Sequence, residues 1–196
     1  MARTPSTMLA LGTRAPEFAL PDLDGRIVTL AGYAHANERA FVDARAYLVM
    51  FICNHCPYVK HVADHLARLG VEYQAKGVAM FAINSNDAIA YPDDSPEAMR
   101  REARERGYTF PYLYDESQDV AKAYRAACTP DFYLFDAERR LVYRGQLDGS
   151  RPKNEVPVTG ADLRHALDAV LAGTTPSAEQ FPSLGCNIKW RESPGY

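Results

Sequence analysis

Long apolar stretches are missing from this chain. Its longest uninterrupted apolar run, residues 46–53, holds eight residues, whereas a membrane-spanning helix needs about 20. A strong charge imbalance is missing too. Lys plus Arg number 22 against 25 for Asp plus Glu, a net charge of −3, so no broad field exists to hold nucleic acid or an anionic membrane. Cysteine is scarce, with four in 196 residues, too few for the disulfide framework of a small secreted domain. Residues 1–12 carry one arginine and lack the apolar core of a secretory leader. The expected setting is therefore cytoplasmic. There thiols stay reduced, and a close cysteine pair is more often catalytic or metal-binding than structural. What is present is ordinary for a soluble globular chain: 47% apolar and 24% charged residues, which excludes disordered and collagen-like classes. A chain of this length buries roughly 70% of its unfolded surface and needs no covalent staple.

No internal repeat or low-complexity tract interrupts the sequence. Asp24-Gly25 signals a hairpin turn between Phe18/Leu20 and Ile27/Val28/Leu30. The run 46–52 is apolar without alternation, which predicts a central strand covered on both faces. Val59, Val62, Leu66, Leu69 and Tyr73 then recur at helical steps, and Gly77 stands where the helix would end. Val78–Ile83 predicts a second buried strand, so residues 46–83 form a βαβ unit with parallel strands. A charged helix over 96–106 is capped by Asp94 or Ser95 and stops before Gly107. A short strand over 110–114, a helix over 116–126, an antiparallel hairpin of 131–135 with 141–146 and a last amphipathic helix over 161–171 follow. Residues 148–160 are expected to be loop. The chain divides into a domain over 1–172 and an extended tail over 173–196 that packs on it.

Chemistry concentrates in Cys53-Asn54-His55-Cys56-Pro57, at the exit of the buried strand and the entry to the helix. This spacing allows a disulfide across one helical turn. It also places the sulfurs at a helix N-terminus, where free N–H groups and the dipole favour a thiolate. Cys53, at the strand end, is expected to be the more exposed sulfur and the nucleophile. Cys56 is expected to be the buried thiol that resolves the mixed disulfide. A protonated His55 between them favours thiolate over disulfide and raises the reduction potential. Pro57 fits the first helical turn. Cys128-Thr129-Pro130-Asp131 precedes the strand over 131–135 and makes Thr129–Pro130 a candidate cis peptide.

The order strand, C-x-x-C helix, strand, helix, Thr-Pro, hairpin, helix resembles a thioredoxin fold. The segment Gly12–Gly25 (GTRAPEFALPDLDG) is similar to the start of its redoxin branch. That branch holds the alkyl hydroperoxide reductase/thiol-specific antioxidant proteins and the thiol-disulfide oxidoreductases. The resemblance covers about residues 10–172. It implies an α/β fold with a central mixed sheet flanked by helices. It also implies that Pro130 is cis beside the cysteine pair, and that the Thr129 backbone binds an extended substrate segment. Asn54 and Pro57 are expected to line the same substrate site. Three departures are visible. Ile52 stands where thioredoxins have Trp, and Asn54-His55 replaces Gly-Pro. The peroxiredoxin signature of Pro seven and Thr or Ser three residues before the reactive Cys is absent, since Val49 and Cys53 precede Cys56 while Ala46 and Met50 precede Cys53. The strand over 46–52 lacks the buried carboxylate of thioredoxins.

The expected function is thiol-disulfide exchange at Cys53 and Cys56, with an antioxidant or redox role. The alternatives are a thiol-dependent peroxidase and a redox-sensing or metal-binding protein. Implied partners are a protein or small-molecule disulfide or thiol substrate and a reductant such as the thioredoxin or glutathione system. No cofactor, metal, nucleic acid or membrane is expected. Cys128 and Cys186 are candidate additional redox thiols; Cys128 equally suits a buried apolar position. Ile188 and Trp190 are expected to anchor the tail over an apolar groove. Cys53, Cys56, His61 and His65 are all ligand types, but their spacing does not converge on a zinc site, and both histidines suit the surface or its boundary. Asp93 and Asp94 suit a solvated helix end.

Overall fold

The fold is described by a computed structural model over residues 3–33 and 43–191. In chain order the strands are β1 (Arg3–Pro5), β2 (Ala19–Pro21), β3 (Ile27–Thr29), β4 (Gly32–Tyr33), β5 (Ala46–Phe51), β6 (Val78–Asn84), β7 (Tyr112–Tyr114), β8 (Cys128–Thr129), β9 (Asp131–Phe135), β10 (Leu141–Gly145) and β11 (Leu184–Asn187). The helices are α1 (Pro57–Ala75), α2 (Pro96–Arg106), α3 (Asp119–Ala123) and α4 (Ala161–Leu171). A central sheet runs β10-β9-β5-β6-β7, with β5 parallel to β6 and antiparallel to β9. The chain-start hairpin forms a separate sheet β2-β3-β4.

β5 lacks alternation because both of its faces are core. Ala46, Leu48 and Met50 pack with Val59, Val62, Leu66, Leu69 and Tyr73 of α1 and with Leu163 and Leu167 of α4. Tyr47, Val49 and Phe51 point the other way, toward Phe18, Leu20, Val28 and Tyr124. The β5–α1–β6 unit is as the periodicity predicts, and α1 ends where Gly77 takes a left-handed φ of +88°. Ser95 caps α2 by accepting a hydrogen bond from the Ala98 N–H, and Gly107 closes it at φ +70°. None of the helices among the described residues is long and apolar enough to cross a membrane.

Four expectations are revised. The helix expected over 116–126 shrinks to α3, because Gln118 and Arg125 adopt left-handed φ values of 65° and 53° and block extension at either end. Phe110 is not in a strand; it packs under Gly70 of α1, where a methyl group would collide with Thr109 and Phe110. Of the α4 positions whose spacing predicts an inward face, Leu163 and Leu167 are buried, whereas Val170 and Leu171 are only partly so. The tail is not simply extended. Its residues Leu184–Asn187 form the middle strand of a third sheet, β1-β11-β8, which joins the two ends of the described chain to the segment before Pro130.

Candidate active site

Strand β5 continues past its last ladder residue through Ile52 N–H, which bonds the Ile83 carbonyl at 3.0 Å. The chain then turns through Cys53–His55 and enters α1 with Cys56 as its N-cap and Pro57 in its first turn. The first turn of α1 contains no acidic side chain, and no side chain caps it. The Val59 N–H, one of the free donors of this turn, bonds the Cys56 sulfur.

The Thr129–Pro130 peptide is cis, and Thr129 is buried against the pair. Cys53 Sγ lies 3.1 Å from Thr129 Oγ1. Cys56 Sγ lies 3.2 Å from the Thr129 carbonyl oxygen. All four cysteines are reduced and buried. The expected difference in exposure between the pair is absent: Cys53 is 1% and Cys56 0% exposed. Their surroundings distinguish them instead. The Cys56 thiol is pulled down to about 5, first by the hydrogen bond from Cys53, against the cost of burial, and then by the Cys186 thiol and the Val59 and Cys186 N–H groups. The Thr129 carbonyl, which accepts from Cys56 Sγ, favours the protonated form. Cys53 is pushed well up, because it hydrogen-bonds Cys56, is buried, and faces the Asp94 carboxylate. These directions favour the anion on Cys56, whereas its donor contact to the Thr129 carbonyl favours the protonated form, and burial does not separate the roles of the two sulfurs.

Asp94 is the residue that sequence reasoning misplaced. It is fully buried. Its carboxylate accepts hydrogen bonds from the Asn54 N–H at 2.7 Å and from Asn86 Nδ2 at 2.8 Å, and meets His55 Nδ1 at 2.5 Å. Burial alone would raise it, but the bonds from His55, Asn86 and Asn54 prevail and hold it below the usual carboxylate range. Asn54 is fixed from three sides, since its side chain also donates to the Asp93 carbonyl and accepts from Tyr112 Oη. The His55 ring stacks on Tyr91 with centroids 5.4 Å apart, and its buried Nε2 has no hydrogen-bond partner among the described residues. The carboxylate absent from β5 is thus supplied by the short turn before α2. An Asp-Asp-Ser-Pro string carries the ordinary signature of a helix start, so nothing local marks it as buried.

The metal set weighed from the sequence does not form. His65 is buried on the far part of α1 beside Arg68 and Arg164, where burial lowers its pKa, a correction to the surface reading. Cys53, His55 and Asp94 do bring ligand atoms within 4.8 Å of one another. The Asp94 oxygens already hold three hydrogen bonds, which a metal ion would have to displace.

The backbone edge of β8, expected to receive a substrate, is occupied by the chain's own β11. Cys186 is the register partner of Thr129, and Asn187 that of Cys128. Gly185 permits this approach, since a methyl there would collide with the Thr129 carbonyl. Beyond β11, Lys189 N–H bonds Asn86 Oδ1, its carbonyl accepts from Asp87 N–H and Gln118 Nε2, and Arg191 N–H bonds Gln118 Oε1. Ile188 is the apolar anchor at 1% exposure, whereas Trp190 stays 42% exposed and does not share that role. Cys128 is buried, its sulfur 3.9 Å from the Pro130 carbonyl, and its thiol is pushed far up by burial. Tyr58 lines a small cavity with Pro130, Phe132 and Leu184.

The AhpC/TSA family profile matches residues 11–144. The chain belongs to the AhpC/TSA family. It is similar to an uncharacterized conserved protein from Geobacillus kaustophilus, with 56% identity, 98% of each chain covered and a TM-score of 0.91. The thiol-disulfide oxidoreductase ResA of Geobacillus thermodenitrificans is 28% identical over 138 residues, 70% of each chain. The thioredoxin domain of a thiol-disulfide oxidoreductase from Bacteroides vulgatus superposes with a TM-score of 0.56 at 20% identity, covering 70% of this chain and 89% of that one. The fold is thioredoxin-like. The AhpC/TSA match ends before α4, so the tail strand and its cysteine lie outside it.

Next to the site, Asp131 is fully buried on β9, accepting from the Phe132 N–H and Tyr133 Oη. Burial pushes its carboxyl up to about 7, only partly offset by the bonds from Tyr133, Phe132 and Ser183. A raised carboxyl binds its proton more tightly in the native than in the unfolded chain. Its contribution to stability is full below about pH 4 and falls by about 1.4 kcal/mol per pH unit as pH rises toward 7. Asp131→Asn should remove this slope. In urea unfolding at pH 5 and pH 8, wild type is expected to lose more stability between the two than the variant; parallel profiles would contradict it.

Proposed function

We propose that this chain is an enzyme that exchanges dithiol for disulfide at Cys53 and Cys56. The observation that carries this reading is the contact of the two sulfurs at the N-terminus of α1, with Thr129 touching both. The ResA relative, named a thiol-disulfide oxidoreductase, supports it. The Cys56 thiolate attacks one sulfur of a substrate disulfide, forming a mixed disulfide and releasing the first substrate thiolate. Cys53 then attacks Cys56 Sγ, closing the Cys53–Cys56 disulfide and releasing the second substrate thiolate. The resolving thiol must lose a proton in that step. His55, oriented by Asp94, lies within reach of Cys53 to take it. Asn54, Pro57, Thr129 and cis Pro130 shape the surroundings of the sulfurs. The substrate is a protein or small-molecule disulfide, and the electrons come from a cellular thiol system.

Redox titration in glutathione buffers, with alkylated peptides mapped by mass spectrometry, tests this reading. A reversible Cys53–Cys56 disulfide with a potential between about −270 and −120 mV is expected. His55→Ala should shift the potential to more negative values, because the Asp94 carboxylate then faces the sulfurs without its imidazole partner. A pair that never cross-links, with rapid loss of one thiol to peroxide, would favour a peroxidase instead.

A further inference from the structure

Three sulfurs converge on one residue. Thr129 presents its hydroxyl to Cys53 and its carbonyl to Cys56, and Cys186 stands opposite it across the β8–β11 ladder. Cys56 is in hydrogen-bond contact with the thiols of both Cys53 and Cys186, and the Cys186 N–H also points at its sulfur. Cys56 is therefore the middle of a row of three. Strand β11 lies along the backbone edge where an extended substrate segment would pair, so the tail holds the place of a bound substrate and carries a cysteine at the reacting position. Gly185 makes this close seating possible, and Ile188, Asn86 and Gln118 hold it in place. Cys128 does not join the row, since its sulfur lies on the Pro130 carbonyl and its register partner is Asn187.

We propose that Cys186 is a third exchange thiol that takes Cys56 over from Cys53. This rests on the exchange reading above. Once substrate has oxidised the pair, the sulfur of Cys186 attacks Cys56 Sγ. The Cys56–Cys186 bond forms, the Cys53–Cys56 bond breaks, and its electron pair leaves on Cys53. The proton lost by Cys186 matches the one Cys53 can take up. No outside oxidant or reductant enters, since the step moves one disulfide between two partners. The product stores the oxidising equivalent under the tail strand and frees Cys53.

The test uses the full chain with oxidised glutathione as the probe, followed by alkylation and peptide mapping. Cys53→Ser is expected to form a Cys56–Cys186 disulfide, with loss of the Cys186 alkylation signal. Cys53→Ser/Cys186→Ser is expected to carry glutathione on Cys56. Cys53→Ser with glutathione on Cys56 and Cys186 still alkylated overturns the proposal. A second measurement leaves Cys53 intact: oxidised wild type is exposed to iodoacetamide for a prolonged period. Cys53 is expected to become labelled in wild type and not in Cys186→Ser, and Cys53 unlabelled in both overturns the proposal. A reversible Cys53–Cys56 disulfide in wild type without any Cys186 cross-link sinks this proposal alone. A Cys56–Cys186 cross-link with no Cys53–Cys56 disulfide sinks the exchange reading and keeps Cys186 as the partner of Cys56.

Discussion

Replacing Cys56 with serine should lower kcat/KM for disulfide reduction by about a thousandfold or more. Cys56 is the sulfur on which the Val59 and Cys186 N–H groups and both neighbouring thiols converge. A serine hydroxyl there retains none of the anion at neutral pH. Cys53→Ser should be less severe, because Cys56 keeps the Val59 and Cys186 N–H donors and can still form the mixed disulfide. Turnover of an insulin-type disulfide by the three proteins, wild type and the two variants, measures the difference. A Cys53→Ser protein as inactive as Cys56→Ser would show that Cys53 alone completes the cycle. A Cys56→Ser protein with most of its activity would move the nucleophile to Cys53.

Gly185→Ala should have the second largest effect, on access rather than on chemistry. Cys53 and Cys56 are essentially shielded from solvent, so reagents reach them only when part of the surrounding structure opens. A methyl at position 185 would collide with the backbone carbonyl of Thr129, which cannot swing aside as a side chain would. Overpacking of this kind costs about 1–3 kcal/mol. If that cost falls on the docked tail, the open population rises by about tenfold to a hundredfold. Alkylation of Cys53 and Cys56 in the reduced protein should accelerate by the same factor, with little change in global unfolding. Unchanged labelling rates would mean that reagents enter by another route.

Much of this architecture is legible in the sequence. The unalternating run of β5, the five apolar positions of α1 and the Cys-x-x-Cys at their junction are local signals, and the βαβ unit follows from them. The Thr129–Pro130 segment acquired meaning only from its place in that order. The illegible parts share a cause. Asp94 reads as a helix-start residue, and only its approach to Asn54, distant along the chain, turns it into a buried acceptor. β1, β8 and β11 are two to four residues long, too short to display a period, and β1 pairs with β11 across nearly the whole length of the chain. The sequence pattern suggests a longer helix than α3 because left-handed φ values at Gln118 and Arg125 leave no mark in composition. The equal burial of Cys53 and Cys56 has no local signal either, because it depends on segments such as Thr129 and the tail strand that are distant along the chain.

The seating of β11 also has a consequence in time. Cys56 precedes Cys186 by 130 residues, and a ribosome adds roughly 5–20 residues each second. The β5–α1 junction can therefore exist on the growing chain for on the order of ten seconds before its cover has been synthesised. During that interval the edge of Thr129 that β11 takes in the finished fold is still unpaired. Arrival of the last segment seals it. On the exchange reading, each new molecule can meet its first thiol or disulfide before the tail strand docks, and Cys56 is then shielded in the finished fold.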